Sequence, residues 1–252
     1  MHVDPARIEE AALNALQTRR QLFYDGWLVR MSPGKAKRAR SVNAHFGSTL
    51  PVDTKIERCE RLYAACALPA LFRITPFCKP AALDDVLERQ RYVAFDNTLV
   101  QIADTGPARR CSPTRDVELV GVTIAAFVES VGALRGSPAE QRHAHLERLA
   151  HSPLASHAIV ARSERRTLAC GQIAIDGDLA GIYDMVTAAD VRGRGLASAI
   201  VAALLAWAGE HGAARAFLQV NNDNAAALAV YRKFGFATAY AYHYRARADE
   251  CR

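Results

Sequence analysis

At 252 residues, half of them apolar, the chain has room for one large or two modest domains with a substantial core. No apolar run reaches the ~18 residues of a membrane span, and Asp4, Arg7, Glu9 and Glu10 interrupt any N-terminal leader pattern, so a cytoplasmic protein without membrane contact is expected. The net charge of +6 suits a polyanionic ligand, while the six cysteines lack C-x-x-C spacing and read as small buried side chains. His143, His145 and His151 lie on a polar helical stretch without zinc-ligand spacing, so no metal is expected.

In chain order, the apolar periodicity predicts a helix over 6–18 and paired strands flanking Ser32-Pro33-Gly34. A helix over 53–67, a strand over 70–75, a helix over 81–90 and a strand over 92–102 follow. Lys35, Lys37, Arg38 and Arg40 stand beside the turn without interleaved aromatics, which reads as a solvated loop rather than a nucleic-acid surface. The polar segment 104–114 is broken by Gly106, Pro107 and Pro113 and is the expected joint, dividing the chain into domains 1–110 and 111–252. Beyond it come a strand over 117–122, helices over 125–134 and 139–150, and a hairpin of 158–162 with 168–175. The chain then gives a strand over 181–187, a helix over 196–211 that stops at Gly212, and a second strand before Asn224. The last strand, 240–245, either pairs across a homodimer or closes the sheet against the N-terminal half.

The junction Arg192-Gly193-Arg194-Gly195-Leu196-Ala197 carries the chemistry. Its glycines lie where a strand must turn sharply into a helix whose first amides are exposed, and such a turn binds phosphate oxygens. A side chain at either glycine would fill the space a pyrophosphate needs, and Arg192 and Arg194 add positive charge. The dinucleotide fingerprint also begins G-x-G, but here Ser198 replaces its third glycine.

This junction resembles the signature Arg/Gln-x-x-Gly-x-Gly/Ala of the GCN5-related N-acetyltransferase (GNAT) family. The resemblance runs on through Phe217-Leu218-Gln219-Val220, through Asn224 to Tyr231, and through Lys233-Phe234-Gly235-Phe236. It implies an α/β fold: a mixed, mostly antiparallel central sheet flanked by helices, with a cleft where the central strands splay after a bulge. By the same resemblance Met185, Val186 and Thr187 pair with the pantetheine arm of acetyl-coenzyme A, and residues 192–197 (Arg192, Gly193, Arg194, Gly195, Leu196, Ala197) hold its pyrophosphate. Asn224 touches the pantetheine arm, and Tyr231 faces the sulfur as general acid. A backbone N–H near Val186 polarises the thioester. Some members carry a glutamate where this chain has Gln219, which cannot take a proton. The base is then Asp184, with Tyr183 and His243 as weaker options, or a solvent relay.

The element order before the joint parallels that after it. A shift of 144 residues sets Val186 on Val42, Trp207 on Tyr63, Ala225 on Ala81 and Phe236 on Tyr92, but puts Thr49 and Pro51 where Gly193 and Gly195 stand, and Leu87 at Tyr231. The N-terminal part is therefore expected to be a smaller, degenerate GNAT-like domain that shapes the acceptor side of the cleft. In the second domain, the helices over 125–134 and 139–150 and the loop 132–138 are expected to line the acceptor site. Two functions follow from the resemblance. One is an N-acetyltransferase acting by direct attack of a primary amine, on a small molecule or peptide, within a ternary complex. The other is a non-catalytic coenzyme A sensor or nucleic-acid-binding module.

Overall fold

The computed structural model describes residues 3–106, 116–164 and 166–251. The expected joint near residue 110 lies outside the described residues, as does Cys111. The chain opens on α1 (Pro5–Asn14), which Asp4 caps by accepting from the Ala6 amide at 3.0 Å with Pro5 in the first turn. There follow β1 (Gln21–Tyr24), β2 (Trp27–Arg30), β3 (Val42–Ala44), α2 (Val52–Ala65), β4 (Phe72–Ile74), α3 (Leu83–Arg89) and β5 (Val93–Asp104). Beyond the joint come β6 (Glu118–Val122), α4 (Ile124–Arg135), α5 (Ala139–Ala150), β7 (Ala155–Ser163), β8 (Arg166–Asp176) and β9 (Leu179–Thr187). The chain ends with α6 (Leu196–Glu210), β10 (Arg215–Asn221), α7 (Ala225–Arg232) and β11 (Ala237–Ala246).

Among the described residues eleven strands form one sheet, in the order β1-β2-β3-β4-β11-β5-β10-β9-β8-β7-β6. Only β3 with β4 and β9 with β10 are parallel; every other neighbouring pair is antiparallel. The expected mixed, mostly antiparallel α/β sheet is what forms. Its centre differs from a simple pair of side-by-side sheets. β5 lies between β10 and β11, and β11 lies between β4 and β5. Each half thus sends its last strand to the parallel pair of the other half. The 144-residue offset persists in the elements, since α2 and α6 start at Val52 and Leu196 and β5 and β11 start at Val93 and Ala237. Of the two fates open to the last strand, the one within this chain is realised: β11 closes the sheet on β4 and β5.

One hairpin was not anticipated. β1 and β2 are joined by Asp25-Gly26, both at positive φ (44° and 83°), the conformation a tight hairpin demands. The strands flanking Ser32-Pro33-Gly34 do pair, as β2 with β3, but a 3-10 turn at Lys37–Ala39 lengthens their connection.

The faces of the sheet alternate as a period of two requires. On β8, Ile173 packs with Ile200 and Leu204 of α6, while its neighbour Ala174 packs with Ile8 and Ala11 of α1 on the opposite face. Phe127 and Val131 of α4 cover Val160 and Cys170 beside α1. α2 and α3 bury Ile56, Tyr63 and Leu87 against Trp27, Val42 and Phe72 in the N-terminal half. Among the described residues no helix is long and apolar enough to cross a membrane.

Three elements converge on one buried ion pair. The Arg73 guanidinium of β4 lies against the Glu9 carboxylate of α1, with side chains 0% and 1% exposed. Tyr240 of β11 donates its hydroxyl to Glu9 at 2.7 Å, and the Tyr242 ring sits 3.7 Å from the Arg73 guanidinium carbon. A lone charge left in such a place is strongly unfavourable. Glu9→Gln is therefore expected to lower unfolding stability by ~3–5 kcal/mol in urea titration, and Glu9→Leu with Arg73→Met to recover most of the loss.

Candidate active site

β9 and β10 pair only from Leu179 with Arg215 to Ile182 with Leu218, although β9 continues to Thr187 and β10 to Asn221. The strands part because β9 holds one extra residue. Cys170 on β8 faces Val186 while Gln172 faces Tyr183, a bulge with Asp184 inside it at φ 52°. A non-glycine residue there costs of the order of 1–3 kcal/mol and needs fixed partners. Asp184 has three: its carboxylate accepts from Arg135 Nη1 at 3.0 Å and Gln172 Nε2 at 3.1 Å, and meets His145 Nε2 at 3.0 Å. Burial opposes its ionisation, but the His145 and Arg135 contacts outweigh burial and hold the carboxyl well below the usual range. Gly171 makes room for the bulge, since a Cβ there would collide with Met185 Sδ.

Beyond the bulge the parted strands enclose a cleft of about 760 Å³. Met185, Val186 and Thr187 form one wall, and Gln219, Val220 and Asn221 form the other. Its floor is the loop into α6, where Gly193 and Gly195 stand at φ 78° and 79° and a Cβ on either would point into open space. The first α6 amides there lack intrahelical acceptors, as at any helix start. Arg192, Gly193, Gly195, Leu196 and Ala197 line this cleft, whereas Arg194 is exposed beside it and is not part of the lining. Asn224 caps α7 by accepting from the Ala227 amide at 3.1 Å and also borders the cleft. Tyr231, 8% exposed, completes the lining; its ring packs edge-on to Phe236 at 5.9 Å, and burial pushes its phenol up to about 12. Gln219, where a carboxylate would have been the familiar base, accepts from the Tyr242 hydroxyl at 2.9 Å.

A second cavity, of about 320 Å³, adjoins the first on the other side of the bulge. Arg38, Arg135, Tyr183 and Asp184 line both. α4 and α5 wall it, with Gln141, His145 and Arg148 spaced as one helical face of α5. The N-terminal half supplies the opposite wall through Lys35, Lys37, Arg38 and Asp96.

Two readings change here. His243 pairs with Asp84 at 3.0 Å and lines neither cavity, so it is remote from the cleft. The basic run at 35–40 is not a solvated loop: Lys37 pairs with Asp96 at 2.9 Å, and Arg38 turns inward over the Tyr183 ring at 5.4 Å. His145, set aside with its neighbours as an unlikely zinc ligand, is brought to Asp184. Its signal was the i, i+4, i+7 spacing of Gln141, His145 and Arg148, a polar stripe on a helix that has to pack.

Residues 126–236 match the model of the acetyltransferase (GNAT) family. A relative from Bacillus subtilis (strain 168), described as the uncharacterized N-acetyltransferase YobR, is 27% identical over 249 residues and covers 96% of this chain and 98% of its own. Among solved structures, a GCN5-related N-acetyltransferase from Kribbella flavida aligns with a TM-score of 0.72 at 18% identity, covering 96% of this chain and 94% of that one. A tandem GNAT protein from the clavulanic acid biosynthesis pathway aligns with a TM-score of 0.63 at 13% identity, covering 77% and 68%. The splayed strands, the glycine turn into α6 and these likenesses agree: residues 126–236 carry an acetyltransferase (GNAT) family domain, and the chain over nearly its whole length is similar to a protein described as an N-acetyltransferase.

Proposed function

We propose that the protein transfers the acetyl group of acetyl-coenzyme A to a primary amine of a small molecule or peptide, by direct attack in a ternary complex. The observation that carries this reading is the meeting of two cavities at Asp184, one with a phosphate-binding turn and a phenol, the other with a buried imidazole. Arg192, the Gly193 and Gly195 turn and the amides of Leu196 and Ala197 hold the pyrophosphate, and Met185, Val186, Thr187 and Asn224 hold the pantetheine arm. The positive φ at both glycines and the open space beyond them fit that role.

The proton steps fall to residues on either side of the bulge. The amine nitrogen attacks the thioester carbon, the carbon–sulfur bond breaks, and Tyr231 gives its phenolic proton to the departing sulfur. Asp184 is too acidic to be a strong base alone. With Nε2–H of His145 donating to it, Nδ1 keeps a lone pair, so the Asp184 and His145 pair takes the proton the amine loses. The N-terminal part acts as a degenerate GNAT-like repeat, jointed near residue 110, that lacks the phosphate turn and walls the acceptor cavity. The parallel order of elements, with α2 and α6 and again β5 and β11 starting 144 residues apart, and the likeness to a tandem GNAT protein support this.

Three outcomes follow. Gly195→Asp places a side chain and a negative charge in the turn, and calorimetry should find acetyl-coenzyme A binding abolished. Tyr231→Phe should cut kcat by ~10²-fold while coenzyme A affinity stays within about twofold of wild type. Because burial moves the Tyr231 phenol up to about 12, its acid form persists well into alkaline solution, and kcat should show no loss from this group below about pH 10. A fall in kcat at lower pH that Tyr231→Phe removes would contradict the assignment. His145→Gln should lower kcat by ~10²-fold with coenzyme A binding retained; full turnover would assign the proton to solvent.

A further inference from the structure

The smaller cavity holds an imbalance of charge. Seven basic side chains line it, Lys35, Lys37, Arg38, Arg135, Arg142, His145 and Arg148, against only two acids, Asp96 and Asp184. Four of the seven are answered within the protein: Lys37 by Asp96 at 2.9 Å, Arg135 and His145 by Asp184 at 3.0 Å each, and Arg142 by Glu129 at 2.8 Å. Lys35 is exposed at the rim. Arg38 and Arg148 are left, and among the described residues neither forms an ion pair with a carboxylate.

Arg148 is buried and Arg38 partly so. Arg148 is 7% exposed, and its Nε and the Nη1 of Arg38 are buried without any hydrogen-bond partner. Burial lowers the pKa of Arg148; the Asp184 carboxylate opposes that shift and the nearby charge of Arg38 adds to it, so the two cations repel across the cavity with one shared carboxylate near them. Like charges this close, each with a buried and unused N–H group, are unfavourable unless an anion joins them. The seat is built for this geometry. Arg148 Nη1 reaches Ser32 Oγ at 3.4 Å, and Gly34 leaves the space it occupies, since a Cβ there would lie 2.5 Å from that nitrogen.

We propose that Arg38 and Arg148 form a fork for an anionic group, carboxylate or phosphate, carried by the amine acceptor. Two planar guanidiniums suit the paired oxygens of such a group. Held there, the acceptor extends toward Asp184 and His145, which stand between the fork and the thioester cleft. A volume of about 320 Å³ limits it to a small molecule or the end of a chain. This inference rests on the acetyl-transfer reading for its acceptor, but anion binding is measurable by itself.

The test compares 4-aminobutanoate, 2-aminoethyl phosphate and butylamine by calorimetry on the coenzyme A complex, and by thiol release from acetyl-coenzyme A. One or both anionic amines should bind and react at least ~10-fold better than butylamine, as loss of a charge-assisted pair implies. Arg38→Gln and Arg148→Gln should each collapse that ratio through KM, with Arg148→Lys intermediate. Gly34→Ala should weaken it by displacing the Arg148 guanidinium. Coenzyme A affinity and melting temperature report whether each variant is folded. The stronger of the two anionic arms names the group. Equal binding of all three amines, or a ratio untouched in a folded Arg148→Gln, overturns the fork. Preferred binding of an anionic amine without thiol release keeps the fork and removes the acetyl-transfer reading; thiol release with butylamine as the best acceptor does the reverse.

Discussion

One extra residue in β9 organises the site. The bulge forces Asp184 to positive φ, and that strain is offset by hydrogen bonds and charge from Arg135, His145 and Gln172. Past the bulge β9 no longer meets β10, so the main chain from Met185 to Thr187 is left along an open cleft. On its other side the same carboxylate faces the smaller cavity. A single backbone irregularity thereby exposes a strand edge, opens a groove and places an ionised group between two binding spaces.

The exchange of terminal strands bears on the same point. Because β11 crosses to β4 and β5 crosses to β10, the two halves share one sheet. The Glu9 and Arg73 pair, with Tyr240 and Tyr242 of the crossing strand, ties α1, β4 and β11 together. In the shared sheet the 3-10 turn at Lys37–Ala39 brings Arg38 to the cavity that α5 also lines. The C-terminal half alone would leave the cavity open along the side that Lys35, Lys37, Arg38 and Asp96 now cover.

Much of this was legible in the chain. Apolar periodicity located α1 to α6 to within a few residues, and α5 over its full extent, because each has a face to bury, whereas α7 came from the family resemblance. The turn at 192–197 was legible because glycines at a strand-to-helix junction have few other physical uses. Pairing across the halves was only half legible: closure by the last strand on the N-terminal half stood as one of two fates, and the reciprocal crossing of β5 to β10 left no signal, since β5 and β11 each follow a helix in the same way whichever partner they meet. The β1 and β2 hairpin had a signal in Asp25-Gly26 that was passed over for the proline turn downstream. Arg38 and His145 were misread because a basic run and a histidine-bearing helix look solvated until the element packed against them is known.

The most direct measurement is a crystal structure of the protein with coenzyme A. The account requires the pyrophosphate on the amides that follow Gly193 and Gly195, the pantetheine along Met185 to Thr187, and the sulfur between Tyr231 and the bulge at Asp184. Coenzyme A lying elsewhere, or a sulfur remote from Tyr231 and Asp184, would contradict the claim that the two cavities meet at the reacting thioester.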